Sequence, residues 1–195
     1  MPRKADAALE GRIVDVAYRL WSERGESALT MRAVAKAART TTPTLYERFR
    51  DKRDLIDFLR ERARRRLFAA IQPAQSAGEA CRRALNFISR HGHEYRLLTS
   101  EWGRRFAEAK PMPSYQFLRE RLAAEFGGSP DEHSRLTLEL IAMIHGTALL
   151  RPLTEEHRHI AAEFQAACLD ACDVLIASAG RRKNGRPHSE GEPAA

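Results

Sequence analysis

The chain has only three cysteines, Cys81, Cys168 and Cys172. They are too few and too widely set for a disulfide framework, so a reduced, cytoplasmic setting is expected. No run of about 18 apolar residues occurs, which excludes a membrane-spanning helix and argues against a membrane partner. The opening MPRKADAALEGR lacks the apolar core of a signal peptide. β-branched residues are sparse, and no stretch alternates apolar and polar residues long enough to argue a strand. There is no glycine-rich phosphate loop and no G-x-S-x-G elbow. The carboxylates sit at the spacing of solvated helix faces, so no catalytic residue and no enzyme is expected. His91 and His93 are two residues apart, as are His157 and His159, and such pairs diverge on a helix. Cys168 and Cys172 do share a face, but an apolar one. Neither a metal nor a cofactor is expected.

What the chain does have is an uneven charge. Of 195 residues, 33 are Lys or Arg and 26 are Asp or Glu, a formal net charge of +7. Residues 1–66 hold 17 basic and 10 acidic side chains, and residues 67–195 hold 16 of each. The whole excess lies in the first third. Such confinement points to an anionic partner, nucleic acid or membrane, for that segment alone. Within it, the run RERARRR at 60–66 reads either as a solvated helix face or as a source of long-range attraction to DNA.

Long stretches rich in Ala, Leu, Arg and Glu, punctuated by proline, read as an all-α chain of about nine helices. The first covers roughly 7–24, with Ile13, Val14, Ala17, Leu20 and Trp21 on one apolar face and Gly25 as its stop. Thr30 can cap a second helix, whose Met31, Val34, Ala35 and Ala38 face inward. Thr41 can cap a third, with Pro43 in its first turn, where a missing N–H costs nothing. Trp21, Leu45 and Phe49 are expected in the core of this small head. Asp51 can cap a fourth helix running to about Ala70. Further helices are expected near 76–90, 93–108, 113–126, 130–150 and 154–178. Residues 180–195 carry Gly, Pro and charge without periodicity and are expected to be disordered.

The stretch 30–49, TMRAVAKAARTTTPTLYERF, is two short helices joined by a tight turn at Ala38, Arg39 and Thr40. That is the spacing of a helix-turn-helix, whose second helix enters the major groove. Thr42 and Thr44 are short hydrogen-bonding side chains near the start of that helix, and Pro43 can touch a thymine methyl. Thr41 and the N–H groups behind it suit a phosphate. Tyr46, Arg48 and Lys52 lie where flanking phosphates would run. Thr30 and Arg39, at the helix start and the turn, complete the candidate DNA-binding set.

These residues resemble the DNA-binding domain of the TetR family of bacterial transcription regulators. The likeness rests on Ile13-Val14-x-x-Ala17, Gly25, Leu29-Thr30, Val34-Ala35-x-x-Ala38 and Thr44-Leu45-Tyr46-x-x-Phe49, followed by Lys52 and Leu55. The family usually reads G-V-S-x-G-T-L-Y-x-H-F where residues 39–49 read R-T-T-T-P-T-L-Y-E-R-F. Arg39 replaces the turn glycine, at a cost of roughly 1 kcal/mol in a left-handed turn.

The resemblance implies a helix-turn-helix domain over 1–52, a helical ligand-binding and dimerisation domain over 53–179, and the tail 180–195. It implies a homodimer through the helices near 130–150 and 154–178, bound to a palindromic double-stranded DNA operator. A small apolar or amphipathic effector would release it, as from a repressor. Phe87, Tyr95, Trp102, Phe106, Phe117, Met143 and His145 are the candidate ligand-binding residues, with ordinary core as the other reading of each. A C-terminal domain that binds a protein partner and no small ligand is the alternative.

Overall fold

The computed structural model describes residues 4–108, 112–150 and 158–184. Among them there are ten α-helices and no strand. The helices are α1 (Lys4–Arg24), α2 (Met31–Ala37), α3 (Thr42–Tyr46), α4 (Lys52–Ile71), α5 (Ala77–Arg90), α6 (Gly92–Thr99), α7 (Trp102–Ala107), α8 (Pro113–Phe126), α9 (Ser134–Leu150) and α10 (Arg158–Asn184). The chain falls into two compact units, Met1–Ala69 with Phe87–Pro111 and Ala70–Asn86 with Met112–Ala195. None of the described helices is long and apolar enough to cross a membrane.

In the first unit, α1 buries Ile13, Val14, Val16, Ala17 and Tyr18. The Tyr18 hydroxyl donates to the Leu59 carbonyl at 2.6 Å and so ties α1 to α4. Burial, reinforced by the Glu94 carboxylate, pushes this phenol well above its ordinary range and keeps it a donor. Trp21 is only partly covered, contrary to expectation, while Val16 and Tyr18 take the core positions. Gly25 ends α1 at φ 76°, a conformation that favours glycine, and its N–H reaches the Trp21 carbonyl at 2.8 Å.

The single helix expected over 93–108 is in fact two, α6 and α7, separated at Ser100 and Glu101. The Thr99 hydroxyl donates to the carbonyls of Tyr95 and Arg96, and that of Ser100 donates to Leu97. Hydroxyls that bond back to the preceding turn loosen a helix end. Glu101 is then drawn inward by arginines, as described below.

The second unit buries Leu118 and Leu122 of α8, Leu140, Ile144 and Ala148 of α9, and Ala161, Cys168 and Cys172 of α10. A 3-10 turn, Pro130–His133, precedes α9. The Ser129 N–H donates to Glu132 Oε1 at 2.8 Å, and His133 Nε2 meets the Gly127 carbonyl at 2.9 Å. The last helix does not stop at 178 but runs to Asn184, so residues 180–184 are helical. Gly180 permits this by close approach: a Cβ there would stand 3.0 Å from the Phe126 ring. The remainder of the expected disordered tail lies outside the described residues.

Candidate nucleic-acid interface

The segment 30–49 forms the expected pair of helices, and each boundary has a local cause. Thr30 is extended, and its hydroxyl accepts from the Ala33 N–H at 3.1 Å. At the other end Arg39 sits at φ 54°. Its N–H reaches Lys36 O at 3.3 Å while the Thr40 N–H reaches Ala35 O at 3.0 Å. That pair of bonds is a Schellman motif, which demands a left-handed residue at position 39. Replacing Arg39 with Gly is therefore expected to raise the unfolding free energy by about 1 kcal/mol. A denaturant titration checks this, and an unchanged or lowered midpoint rejects the strain argument.

Thr41 is also extended and caps α3, its Oγ1 accepting from the Thr44 N–H at 3.3 Å. The same oxygen lies 2.8 Å from Thr44 Oγ1. The cap thus occupies one of the N–H groups that the sequence left open for a phosphate. Leu45 is wholly buried and Phe49 nearly so, with the Phe49 ring edge-on to Phe58 at 5.3 Å. Opposite that buried edge, Thr41, Pro43 and Tyr46 are exposed and Thr42, Thr44 and Arg48 half-buried. Tyr46 is 52% exposed, which is unusual for an aromatic ring. Thr30 and Arg39 are exposed as well. Lys52, half-buried, directs its ammonium to the Glu26 carbonyl at 2.6 Å, closing the head between the 3-10 turn after α1 and the start of α4. Asp51 caps α4 through the Asp54 N–H at 2.9 Å.

The seven candidate ligand residues divide between the units. Phe87, Tyr95 and Trp102 belong to the first. Phe87 and Tyr95 are buried, Trp102 is half-buried, and the Tyr95 and Trp102 rings meet edge-on at 5.8 Å. Phe106 lies on α7, and its side chain is outside the described part of the structure. Phe117, Met143 and His145 belong to the second unit. There Phe117 is buried beneath the Arg121 guanidinium at 5.3 Å, and Met143 is exposed. Burial holds His145 below the ordinary histidine range, so it is neutral at physiological pH.

Three clusters bring together residues that are far apart in the sequence. In the second unit the three cysteines converge. Cys168 and Cys172 are hydrogen-bonded, Cys172 is bonded in turn to Cys81, and all three are buried. The bond from Cys168 pulls the Cys172 thiol down. The bond to Cys81, burial and the neighbouring Asp173 outweigh it and push that thiol up to about 12. The Cys168 thiol is pushed still further up, by its bond to Cys172 and by burial. Both stay protonated at neutral pH, the condition of an inert structural thiol. Among the described residues no group of His, Cys, Asp or Glu is arranged to hold a metal ion.

In the first unit, Glu101 is drawn among arginines. Arg60 lies at 3.0 Å and Arg64 at 3.8 Å, and Arg104 donates to the same carboxylate. A second such cluster joins α4 to α6, where Arg66 pairs with buried Glu94 and stacks its guanidinium nitrogens near His91. Burial and the Arg66 charge hold His91 below its ordinary range, against an opposing pull from Glu94.

A capped short helix, a left-handed turn and a second capped helix with an exposed polar face define a helix-turn-helix DNA-binding head. Residues 13–58 match the family model for the bacterial regulatory proteins of the tetR family. The whole chain shares its fold with solved regulators. A TetR-like transcriptional regulator from Rhodococcus sp. RHA1 is 20% identical with a TM-score of 0.67, the match covering 95% of this chain and 100% of that one. TetR from Acinetobacter baumannii AYE is 19% identical with a TM-score of 0.57, over 89% and 97%. A putative transcriptional regulator from Streptomyces coelicolor is 21% identical with a TM-score of 0.55, over 86% and 97%. No curated protein matches the chain significantly.

Proposed function

We propose that the protein is a bacterial, cytoplasmic transcriptional repressor. It binds a palindromic operator as a homodimer and is released by a small apolar or amphipathic effector. The observation that carries the DNA-reading half is the α3 face: buried Leu45 and Phe49 fix the helix, while Thr42, Pro43, Thr44 and Tyr46 are left toward solvent. Residues 1–52 read DNA, and residues 53–179 hold the effector and the partner. Thr42 and Thr44 touch base edges and Pro43 a thymine methyl. Thr30, Arg39, Thr41, Tyr46, Arg48 and Lys52 meet phosphates.

Exposed apolar side chains on the last two helices support the dimer. Leu138, Met143, Leu149 and Leu150 of α9 and Phe164 and Val174 of α10 all face solvent in the single chain. A two-fold dimer places two recognition helices about 34 Å apart, one helical turn of DNA. The effector acts through its differential affinity for two spacings of the heads.

Selection of bound sequences from a random duplex library tests the reading. A palindromic consensus is the expected result, and failure to enrich any sequence at physiological salt rejects it. With the operator in hand, Tyr46→Phe is expected to weaken binding to all sequences alike, by up to about tenfold, the loss of one hydrogen bond. Thr44→Ala is expected to cost more at the operator than at random DNA. Because that change also removes the Thr41 contact, Thr44→Ser is the control and is expected to restore most of the loss. Equal losses on both DNAs contradict a base contact at Thr44.

A further inference from the structure

The first unit contains an open cleft of about 740 Å³. Of its eleven lining residues only Ile56 is apolar. Six are cationic: Lys52, Arg53, Arg60, Arg64, Arg104 and Arg105. Four are acidic, and three of those are already engaged. Asp51 caps α4, Asp57 pairs with Arg60 at 3.5 Å, and Glu101 faces three guanidinium groups.

The donors outnumber the acceptors. Each guanidinium carries five N–H groups, and a carboxylate offers about four lone-pair sites. Arg60 Nε is buried with no acceptor within hydrogen-bond reach, and Arg64 Nη1 has only the Glu101 carboxylate, at 3.8 Å. The lining sets six cations against four carboxylates, so the cleft carries a net positive charge that attracts an anion. The volume lies within the range of small-molecule sites, but the lining excludes an apolar occupant.

We infer that this cleft binds a small polyanion, a polycarboxylate or a phosphate ester, held by Arg60, Arg64 and Arg104. A planar guanidinium binds either group through paired N–H donors. The site is separate from the apolar effector proposed above. It touches that reading only through Lys52, which lines the cleft and is also a phosphate-contact candidate on the head. An anion that draws Lys52 inward weakens DNA binding, and DNA weakens anion binding by the same factor.

Calorimetric titration of the full chain with citrate and with pyrophosphate, at ionic strength held constant with sodium chloride, tests this without DNA. Saturable binding of at least one probe is expected. Citrate alone marks a carboxylate site and pyrophosphate alone a phosphate site. Arg104→Gln, at an exposed position, is expected to raise the dissociation constant about tenfold, the loss of one charge-assisted bond. Arg53→Gln, also exposed, is a second variant with the same expected direction. Heats that never saturate with either probe overturn the inference. So does saturable binding that both variants leave unchanged, because the anion then sits elsewhere. Operator selection is unaffected by these outcomes, so failure here is distinguishable from failure of the regulator reading.

Discussion

Leu45→Ala is expected to destabilise the head by about 3 kcal/mol and to abolish operator binding. Leu45 is wholly buried, and the helix that carries it has five residues. A helix so short has no stability of its own, because the cost of its first turn is not recovered by propagation. What holds α3 in place is packing by Leu45 and Phe49 and the Thr41 cap. Truncating Leu45 leaves a cavity beneath the residues proposed to meet DNA, so affinity is expected to fall although no proposed contact residue has changed. Chemical denaturation measures the first effect and a mobility shift on the selected operator the second. A Leu45→Ala protein with wild-type midpoint and wild-type affinity would show that α3 is positioned by something other than this packing.

The legible parts of the fold are those with local causes. Thr30 and Thr41 announce the starts of α2 and α3, because a hydroxyl there satisfies an N–H three residues on. Gly25 marks the end of α1 for a similar reason. Arg39 is the instructive case. An arginine does not advertise a left-handed turn, but the resemblance, with glycine at that position, implies one, and φ is 54°. Features set by distant residues were not legible. At the break between α6 and α7, Glu101 pairs with Arg60 and Arg64, some 40 residues earlier in the chain. α10 continues through Gly180, where the helix passes close to the Phe126 ring. Glycine and charge after 178 resemble a tail until that ring is in view.

The same limit governs the candidate sites. The DNA-binding set lies on one short segment, where spacing alone brings the side chains together. The candidate ligand residues share only apolar or amphipathic character across many helices, and the described ones divide between two units. The cysteines repeat the lesson: 81 and 172 are far apart in the chain and hydrogen-bonded in the fold. The basic surplus of the first third also acquires a finer description. Part of it faces the head's exposed side, at Arg39 and Arg50. Part of it, Lys52, Arg53, Arg60 and Arg64, lines a cleft.

Placing two arginines on α10, as Phe164→Arg with Val174→Arg, is expected to convert the proposed dimer to a monomer. Phe164, Ala167, Ala171 and Val174 recur at three- and four-residue spacing and share one helix face. Val174 is 63% exposed in the single chain, so an arginine there leaves the fold of the subunit intact. In a two-fold interface each residue lies near its own symmetry mate or that mate's neighbours, so like charges are set against like. Desolvating them without partners is strongly unfavourable. Operator binding falls with the dimer, because the second half-site no longer binds as an intramolecular event. That advantage is on the order of 10² to 10⁴ in affinity. Sedimentation velocity reads the mass, circular dichroism the fold, and mobility shift the affinity. A folded variant that remains a dimer would place the interface on another face. A wild-type chain that sediments as a monomer would remove the dimer altogether, and the exposed leucines of α9 would need a different partner.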